Sequence, residues 1–308
     1  MSIERIIPEN EQHWLELRTK DVTSTEVSAL FGFSPYITEF ELWHRKKTGV
    51  VVKINENERM GWGTALQEAI ANKIALDNKW YVIRKDEYMR DDSIKAGSSF
   101  DFSLCTYENK EEEEYLLEIK NVDSIVYRND WFEDDKGNIE APLHIEIQVQ
   151  HQLMVSGLNV CYIGALIGGN KCVLIKRERN DEVIIAIRNK LARFWDSIDA
   201  NKEPKPDFIR DAEFISKLYG YSEPGKVIDV TDNEEFLGWA AEYKQISDKM
   251  KSLDQQKDAL KAKMLIVMGD AEKVEGGMFS ISAGIIGEAP ISYVRKAYRN
   301  FKPTWRKQ

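Results

Sequence analysis

Between residues 114 and 122 the chain reads EYLLEIKNV, an apolar run interrupted by an acid and a base two positions apart. Leu116, Leu117, Ile119 and Val122 predict a buried strand, and strand alternation puts Glu118 and Lys120 on one face of it. Charge in an apolar layer is costly unless it is paired or binds a metal. A second acid, Asp101 in AGSSFDFSLC, lies on a preceding strand that reads as the other arm of a hairpin. Two carboxylates on adjacent strands can hold a hard cation, with the main-chain carbonyl of Ile119 as a further oxygen ligand. Mg2+ keeps several waters and suits so sparse a set. It would acidify a bound water and stabilise charge on phosphoryl oxygens. Lys120 would assist that water and offset the repulsion between the carboxylates. This is the arrangement of metal-dependent phosphodiesterases, although the same three residues could equally form a structural ion pair. E-x-K also occurs at Glu108/Lys110, Glu203/Lys205 and Glu242/Lys244, all in polar or helical settings where a solvated face explains it.

The elements that must position these groups can be read on either side of them. WLELRTKDVTSTEVSALFGFSPY predicts a helix, a loop and a second helix capped near Thr23, Ser24 or Thr25. The helix in TEFELWHRKKTG ends at Gly49. MGWGTALQEAIANKIALDN predicts a helix with Leu66, Ile70 and Ile74 in one stripe and Glu68 half a turn away. Strands are expected at 80–84, 98–105 and 115–122, with the acidic stretch 108–114 as the loop between the last two. A helix over 144–158, a hairpin around Gly168-Gly169-Asn170 and an amphipathic helix over 181–199 follow. The proline-bearing NKEPKPDF (201–208) marks a boundary between a core, residues 1–208, and a C-terminal extension, residues 209–308. In that extension Phe236, Trp239, Tyr243, Ile246, Met250, Leu253, Leu260, Met264 and Val267 follow alternating three- and four-residue steps. Only Lys257 breaks this heptad seam. The pattern fits a long helix packed on its own domain, or a contact between chains or within a helical hairpin. A short strand pair around 274–286 and a basic tail complete the chain.

Composition narrows the class. The 308 residues are 43% hydrophobic and 31% charged, as in a soluble globular protein rather than a disordered one. No apolar run approaches the roughly 20 residues of a membrane span, and MSIERIIPENEQHW is too charged for a signal peptide. Cys105, Cys161 and Cys172 lack metal-ligand spacing and are odd in number, which points to free thiols in a reducing cytosol. A net charge of −9 argues against a nucleic-acid partner, but its distribution is uneven. Acids cluster in 107–115 and 131–140, whereas the last 18 residues hold six Lys or Arg and no acid. In that tail Arg295, Arg299 and Trp305 belong to a basic and aromatic series suited to phosphates and unpaired bases, or to a solvated terminus.

Several short motifs in order carry a resemblance. WLELRTKDVTSTEVSALFG, with a Trp and an Arg four residues on, is followed by GWGTALQEAIA, SSFD, LEIK and IQVQHQLMVSG. Over residues 11–175 the chain resembles the lambda-exonuclease-type (YqaJ) viral recombinase family, within the PD-(D/E)xK nuclease superfamily. Phe100 stands where the family commonly has a proline before the aspartate. The resemblance implies an α/β, restriction-endonuclease-like core: a mixed central sheet flanked by helices, here with a helical C-terminal extension. It implies that Asp101, Glu118 and Glu68 bind Mg2+, with Mn2+ able to substitute, and that Lys120 assists the attacking water. Gln148, and with less support Gln150 or Gln152, would bond near the nucleophile or metal. Arg18, with Ser24 or Thr25, would hold a 5′-terminal phosphate, which suits a guanidinium fork and a hydroxyl. His144 and His151 are expected to be structural or close to DNA rather than catalytic. The implied activity is 5′→3′ digestion of linear double-stranded DNA, leaving a 3′ single strand for an annealing protein. It would take place in the cytoplasm of a bacterium or phage-infected host, and the enzyme would be a homo-oligomer such as a three-subunit ring. Alternatives are an endonuclease or single-strand exonuclease of the same superfamily, and a DNA-binding or scaffold protein without catalysis.

Overall fold

The run at 115–122 is a strand, and it lies at the centre of a five-stranded sheet. The computed structural model describes residues 3–51, 57–106, 114–290, 292–295 and 297–305. The acidic 107–113, Lys296, Arg306 and Lys307 lie outside the described residues. Two units are distinguished, Met1–Ser216 and Lys217–Gln308.

The first unit begins with β1 (Ile3–Ile6), α1 (Glu11–Lys20), β2 (Val22–Thr23) and α2 (Glu39–Thr48). It continues through α3 (Glu58–Asn78), β3 (Trp80–Arg84), β4 (Tyr88–Asp91), β5 (Ala96–Ser99), β6 (Phe102–Thr106) and β7 (Tyr115–Val122). After α4 (Ser124–Asp130) and the short β8 (Phe132–Glu133) and β9 (Ile139–Glu140) come α5 (Leu143–Ser156), β10 (Val160–Ile167), β11 (Lys171–Glu178) and α6 (Asp181–Asp199). Asn10, Thr38, Asn57 and Asn180 cap α1, α2, α3 and α6 by accepting a backbone N–H of the first turn. Gly49 and Gly157 end α2 and α5 in the left-handed conformation.

The main sheet has the order β11-β10-β7-β6-β3, parallel between β10 and β7 and antiparallel elsewhere. It is the mixed sheet flanked by helices that the sequence implied. Parallel neighbours need a crossover, and here the crossover carries α5. The two faces of β7 serve different cores. Leu117 and Ile119 pack with Ile70, Ala71 and Ile74 of α3, whereas Leu116 and Val122 join the larger core with α5 and α6. Glu118 and Lys120 share the α5 face by strand alternation.

Two expected elements take another form. The single strand at 98–105 is two strands in two sheets: β5 belongs to a four-stranded sheet of order β1-β4-β5-β2, and β6 to the main sheet. Phe100 and Asp101 make the step between them. The ladder to β7 stops at Phe102↔Leu117, and the next inter-strand bond runs from Ile119 N to the Asp101 carboxylate at 2.8 Å. An acceptor side chain thus replaces a ladder carbonyl. The second helix expected near 23–31 is a 3-10 turn, Val27–Phe31, because Val22 and Thr23 pair with β5 and Glu26 takes the N–H and hydroxyl of Thr23. Beyond the linker at 201–208, Asp211 is fully buried and accepts from Thr38 Oγ1 and from the N–H of Asp207, so residues 209–216 belong with the first unit.

In the second unit, which includes the end of α7 (Ala212–Leu218), α8 runs from Glu234 to Met268 over 35 residues and precedes a two-stranded pair, β12 (Lys273–Glu275) and β13 (Ser280–Ser282). No described helix is long and apolar enough to cross a membrane.

Gly97 admits one close approach. A Cβ there would lie 2.0 Å from the Tyr88 hydroxyl and 2.4 Å from its ring, and Tyr88 is buried and bonded to Asp21 at 3.1 Å. A rigid buried ring has no room to yield. Gly97→Ala should therefore destabilise the protein by about 1–3 kcal/mol in a denaturant melt. Gly63→Ala, in open space on α3, should stabilise it by roughly 0.5–1 kcal/mol.

Candidate active site

Strand register brings the acids together. Phe102 faces Leu117, so one step back Asp101 comes opposite Glu118, on the same side of the sheet. Glu118 is buried at 5% exposure, and both of its oxygens are taken. Oε1 accepts from Lys120 Nζ at 2.6 Å and from Gln148 Nε2 at 2.7 Å; Oε2 accepts from Gln152 Nε2 at 2.7 Å. Lys120 also donates to Gln148 Oε1 at 3.1 Å, which closes a three-membered ring of bonds.

Asp101 lacks such a cation. Its carboxylate accepts from Ile119 N at 2.8 Å and from Gln67 Nε2 at 3.0 Å, both neutral donors. Burial first, and then the neighbouring Glu118 charge, push its pKa up to about 7. Lys120 is shifted upward: burial works against its charge, but Glu118 and Asp101 outweigh it. A buried carboxylate and a half-buried one sharing one ammonium are short of positive charge. All the available donors are oxygens, the chemistry of a hard divalent cation. Among the described residues no group of three or more His, Cys, Asp or Glu is placed to hold a metal. A cation here would take Asp101, Glu118 and the Ile119 carbonyl, which shares the direction of its own N–H toward Asp101, and water for the rest. Mg2+ tolerates that ligand set.

Two expected members stand elsewhere. Glu68 is exposed, and Gln67 is the α3 residue that reaches Asp101. The buried stripe of α3 is Ile70, Ala71, Ile74 and Ala75; Gln67 is in phase with it at four residues before Ala71, and Glu68 is turned about 100° away. Gln150 faces away from Glu118. Its amide donates to Glu178 O and accepts from Asn180 N, each at 2.8 Å, which secures the start of α6. Residues four apart share a helix face and residues two apart do not, so Gln148 and Gln152 meet Glu118 together. His144, one turn before Gln148, is half-buried, with its pKa lowered by burial and then by Lys120, and it meets the exposed Tyr36 ring edge-on at 5.9 Å. His151 is fully buried, and burial pushes its pKa down to about 4, so it stays neutral.

A second polar cluster lies at the start of the same segment. Arg18 stacks its guanidinium on Trp14 at 4.6 Å and donates to Thr25 Oγ1 at 3.3 Å. Trp14 donates to Ser99 Oγ at 2.8 Å, and Ser98 donates to the buried Ser24 hydroxyl at 3.0 Å. Beneath them Lys46 donates to Glu26 and to the Arg18 carbonyl, each at 2.8 Å. Trp14, Ser98 and Ser99 entered the sequence reading only as parts of motifs, without a role, and Lys46 was not singled out. Arg295, Arg299 and Trp305 belong to the second unit, where Arg295 lies over the Tyr298 ring at 5.2 Å and Arg299 donates to Tyr219 O at 3.0 Å.

Comparison with known proteins adds a lineage. A family model described as the YqaJ-like viral recombinase domain matches residues 13–159. The YqaJ protein of Bacillus subtilis (strain 168) is 30% identical over 265 residues, 84% of this chain and 78% of that protein. Among solved structures, an alkaline exonuclease from Laribacter hongkongensis is similar at 18% identity and a TM-score of 0.49, over 66% of this chain and 99% of that one. A phage-related exonuclease from Haemophilus somnus 129PT is similar at 10% identity and a TM-score of 0.38, over 59% of this chain and 96% of that one. With Asp101, the E-x-K strand and the glutamine helix in their places, the chain belongs to the YqaJ-like viral recombinase family.

Proposed function

We propose that the protein is a Mg2+-dependent 5′→3′ exonuclease acting on linear double-stranded DNA. One observation carries the reading: a single stretch, Ser98 to Asp101, joins the Arg18 cluster to the carboxylate pair. Three residues span at most about 10 Å, close to the reach between neighbouring phosphates of one strand. A terminal phosphate in the first cluster would leave the next phosphodiester within reach of the second.

Each group has a role its surroundings prepare. Arg18 and the hydroxyls of Ser24 and Thr25 hold the end phosphate, and Trp14 fixes the guanidinium plane. Asp101, Glu118 and the Ile119 carbonyl hold the cation, with Gln67 orienting Asp101. When bound, a divalent cation supplies charge for the phosphoryl oxygens and acidifies water. Lys120, aimed by Glu118 and Gln148, positions the attacking water and stabilises charge developing on the phosphate. Mn2+ can take the place of Mg2+ on oxygen ligands. The product, a 3′ single strand, is the substrate of an annealing protein, and family resemblance extends the reading to a three-subunit ring. Arg295, Arg299 and Trp305 offer cationic and aromatic contacts to DNA outside the site.

With Mg2+, a linear duplex carrying 5′-phosphates should be digested while a closed circle of the same sequence survives. Glu118→Ala and Lys120→Ala should each lower the rate by about 100-fold or more. Nicking of the circle would mark an endonuclease instead. A linear duplex with 5′-hydroxyl ends should be cut more slowly, and Arg18→Ala should erase that preference, losing about 10- to 100-fold on the phosphorylated substrate alone.

The carboxylate pair also predicts a pH response of the metal-free protein. Asp101 titrates higher in the folded state, at about 7, than in the unfolded chain, at 3.8. Between those values the folded state binds the extra proton, so the contribution of Asp101 to stability falls as pH rises. Melting temperatures of wild type and Asp101→Asn should therefore diverge between about pH 4 and pH 7, with wild type losing ground toward neutral pH. Mg2+ should restore wild type at pH 8 and leave Asp101→Asn unmoved.

A further inference from the structure

Helix α8 is 35 residues long, and of its side chains only Met268 is buried. At 1.5 Å per residue it extends about 52 Å. Its apolar seam is exposed along its length, from 42% at Met264 to 84% at Val267. Within the unit, Phe301 of the tail meets Tyr243 edge-on at 5.7 Å, and Phe236 meets Trp239. Tyr243 is still 48% exposed. The spacing is that of a coiled coil, with Phe236, Tyr243, Met250, Lys257 and Met264 at one core position and Trp239, Ile246, Leu253, Leu260 and Val267 at the other.

We infer that α8 pairs antiparallel with α8 of a second copy of this chain. Area allows it. Taking about 80 Å2 from each half-exposed seam residue, two helices remove on the order of 1,500 Å2 from water, the size of a standard stable interface.

Charge and size choose the occupant and the direction. The first turns of α8 carry Glu234, Glu235 and Glu242 with no base among them, and the last carry Lys257, Lys261 and Lys263 against the single acid Asp258. Antiparallel self-pairing lays one end on the other and sets Glu242 beside Lys263 of the second copy, twice. It also packs Phe236, Trp239 and Tyr243 against Val267, Met264 and Leu260, wide side chains against narrower ones. Lys257 then faces Ile246 and can extend its ammonium to water.

Parallel pairing would set Lys257 against Lys257 inside the seam, a buried like-charge pair. Its compensation is a rim attraction between Lys249 and Asp254, of the small surface kind. The antiparallel arrangement has no such like-charge contact: with Lys257 opposite Ile246 the dyad falls between residues 251 and 252, and Asp254 comes beside Ser247 of the second copy. Asp254 stays on the rim, bonded by Lys257 of its own helix at 3.0 Å.

The full-length chain tests this by light scattering after gel filtration. An isologous contact makes the assembly even-numbered, so three-subunit rings joined through α8 form a six-chain assembly and the mass should be an even multiple of 35.6 kDa. Met250→Asp/Leu253→Asp should halve it while circular dichroism shows an unchanged fold. Glu242→Lys and Lys263→Glu should each weaken association by roughly two- to tenfold, and the two together should restore it, because only antiparallel pairing brings them face to face. In a Cys172→Ser background, Ile246→Cys/Lys257→Cys should cross-link under mild oxidation and Lys257→Cys alone should not. An odd or monomeric mass, a mass unchanged by Met250→Asp/Leu253→Asp, or cross-linking by Lys257→Cys alone would overturn the inference.

Discussion

The carboxylate of Glu118 is buried in the middle strand of the main sheet, and much of the first unit is arranged around that fact. A buried charge destabilises a fold unless its lone pairs find donors. Glu118 finds three, Lys120, Gln148 and Gln152, from its own strand and from the crossover helix. Because β7 and β10 are parallel, the chain must cross over between them, and α5 is laid over the face that carries the charge. The topology that makes the sheet also delivers the donors.

Asp101 is the counterpart, left deliberately poor in positive charge by the same architecture. It occupies the step between two sheets, where the ladder with β7 has ended and a strand N–H is open to a side-chain acceptor. Neutral donors hold its oxygens in place without neutralising them. The result is a pair of carboxylates with one ammonium between them, and a proton or a divalent cation must make up the difference. On the proposed function, the cation that relieves this charge would be the one the reaction uses.

The step at Phe100 and Asp101 also ties the two polar clusters to one segment. Upstream, Ser98 and Ser99 bond Ser24 and Trp14 in the small sheet and its neighbouring helix. Downstream, Asp101 faces β7. Any shift of β5 would move both clusters together, which is a physical reason for two hydroxyls to stand beside the acid in GSSFD. The Lys46–Glu26 pair beside Arg18 is largely shielded, so the proposed phosphate end rests on a charge-balanced floor.

Local periodicity was enough to determine β7, the common face of Glu118 and Lys120, the place of most helices with the end of one at Gly49, and the heptad seam of α8, but not the helix N-caps. Period-two and period-3.6 patterns are written within a few residues and need no partner to be read. The order of motifs likewise led to Asp101, Lys120, Gln148 and the Arg18 cluster. Tertiary packing alone decided the rest. It broke the strand at 98–105 between two sheets, because Asp101 exchanged a ladder position for the Ile119 N–H. It chose Gln148 and Gln152 over Gln150, and Gln67 over Glu68, because a helix commits one face to the sheet. Which face that is depends on how Ile70, Ala71 and Ile74 seat against Leu117, Ile119 and the bare backbone at Gly164, where an added Cβ would meet Ile74 at 2.4 Å. A rotation of about 100° separates neighbouring helix residues, and the energy that sets the rotation comes from contacts with strands distant in sequence.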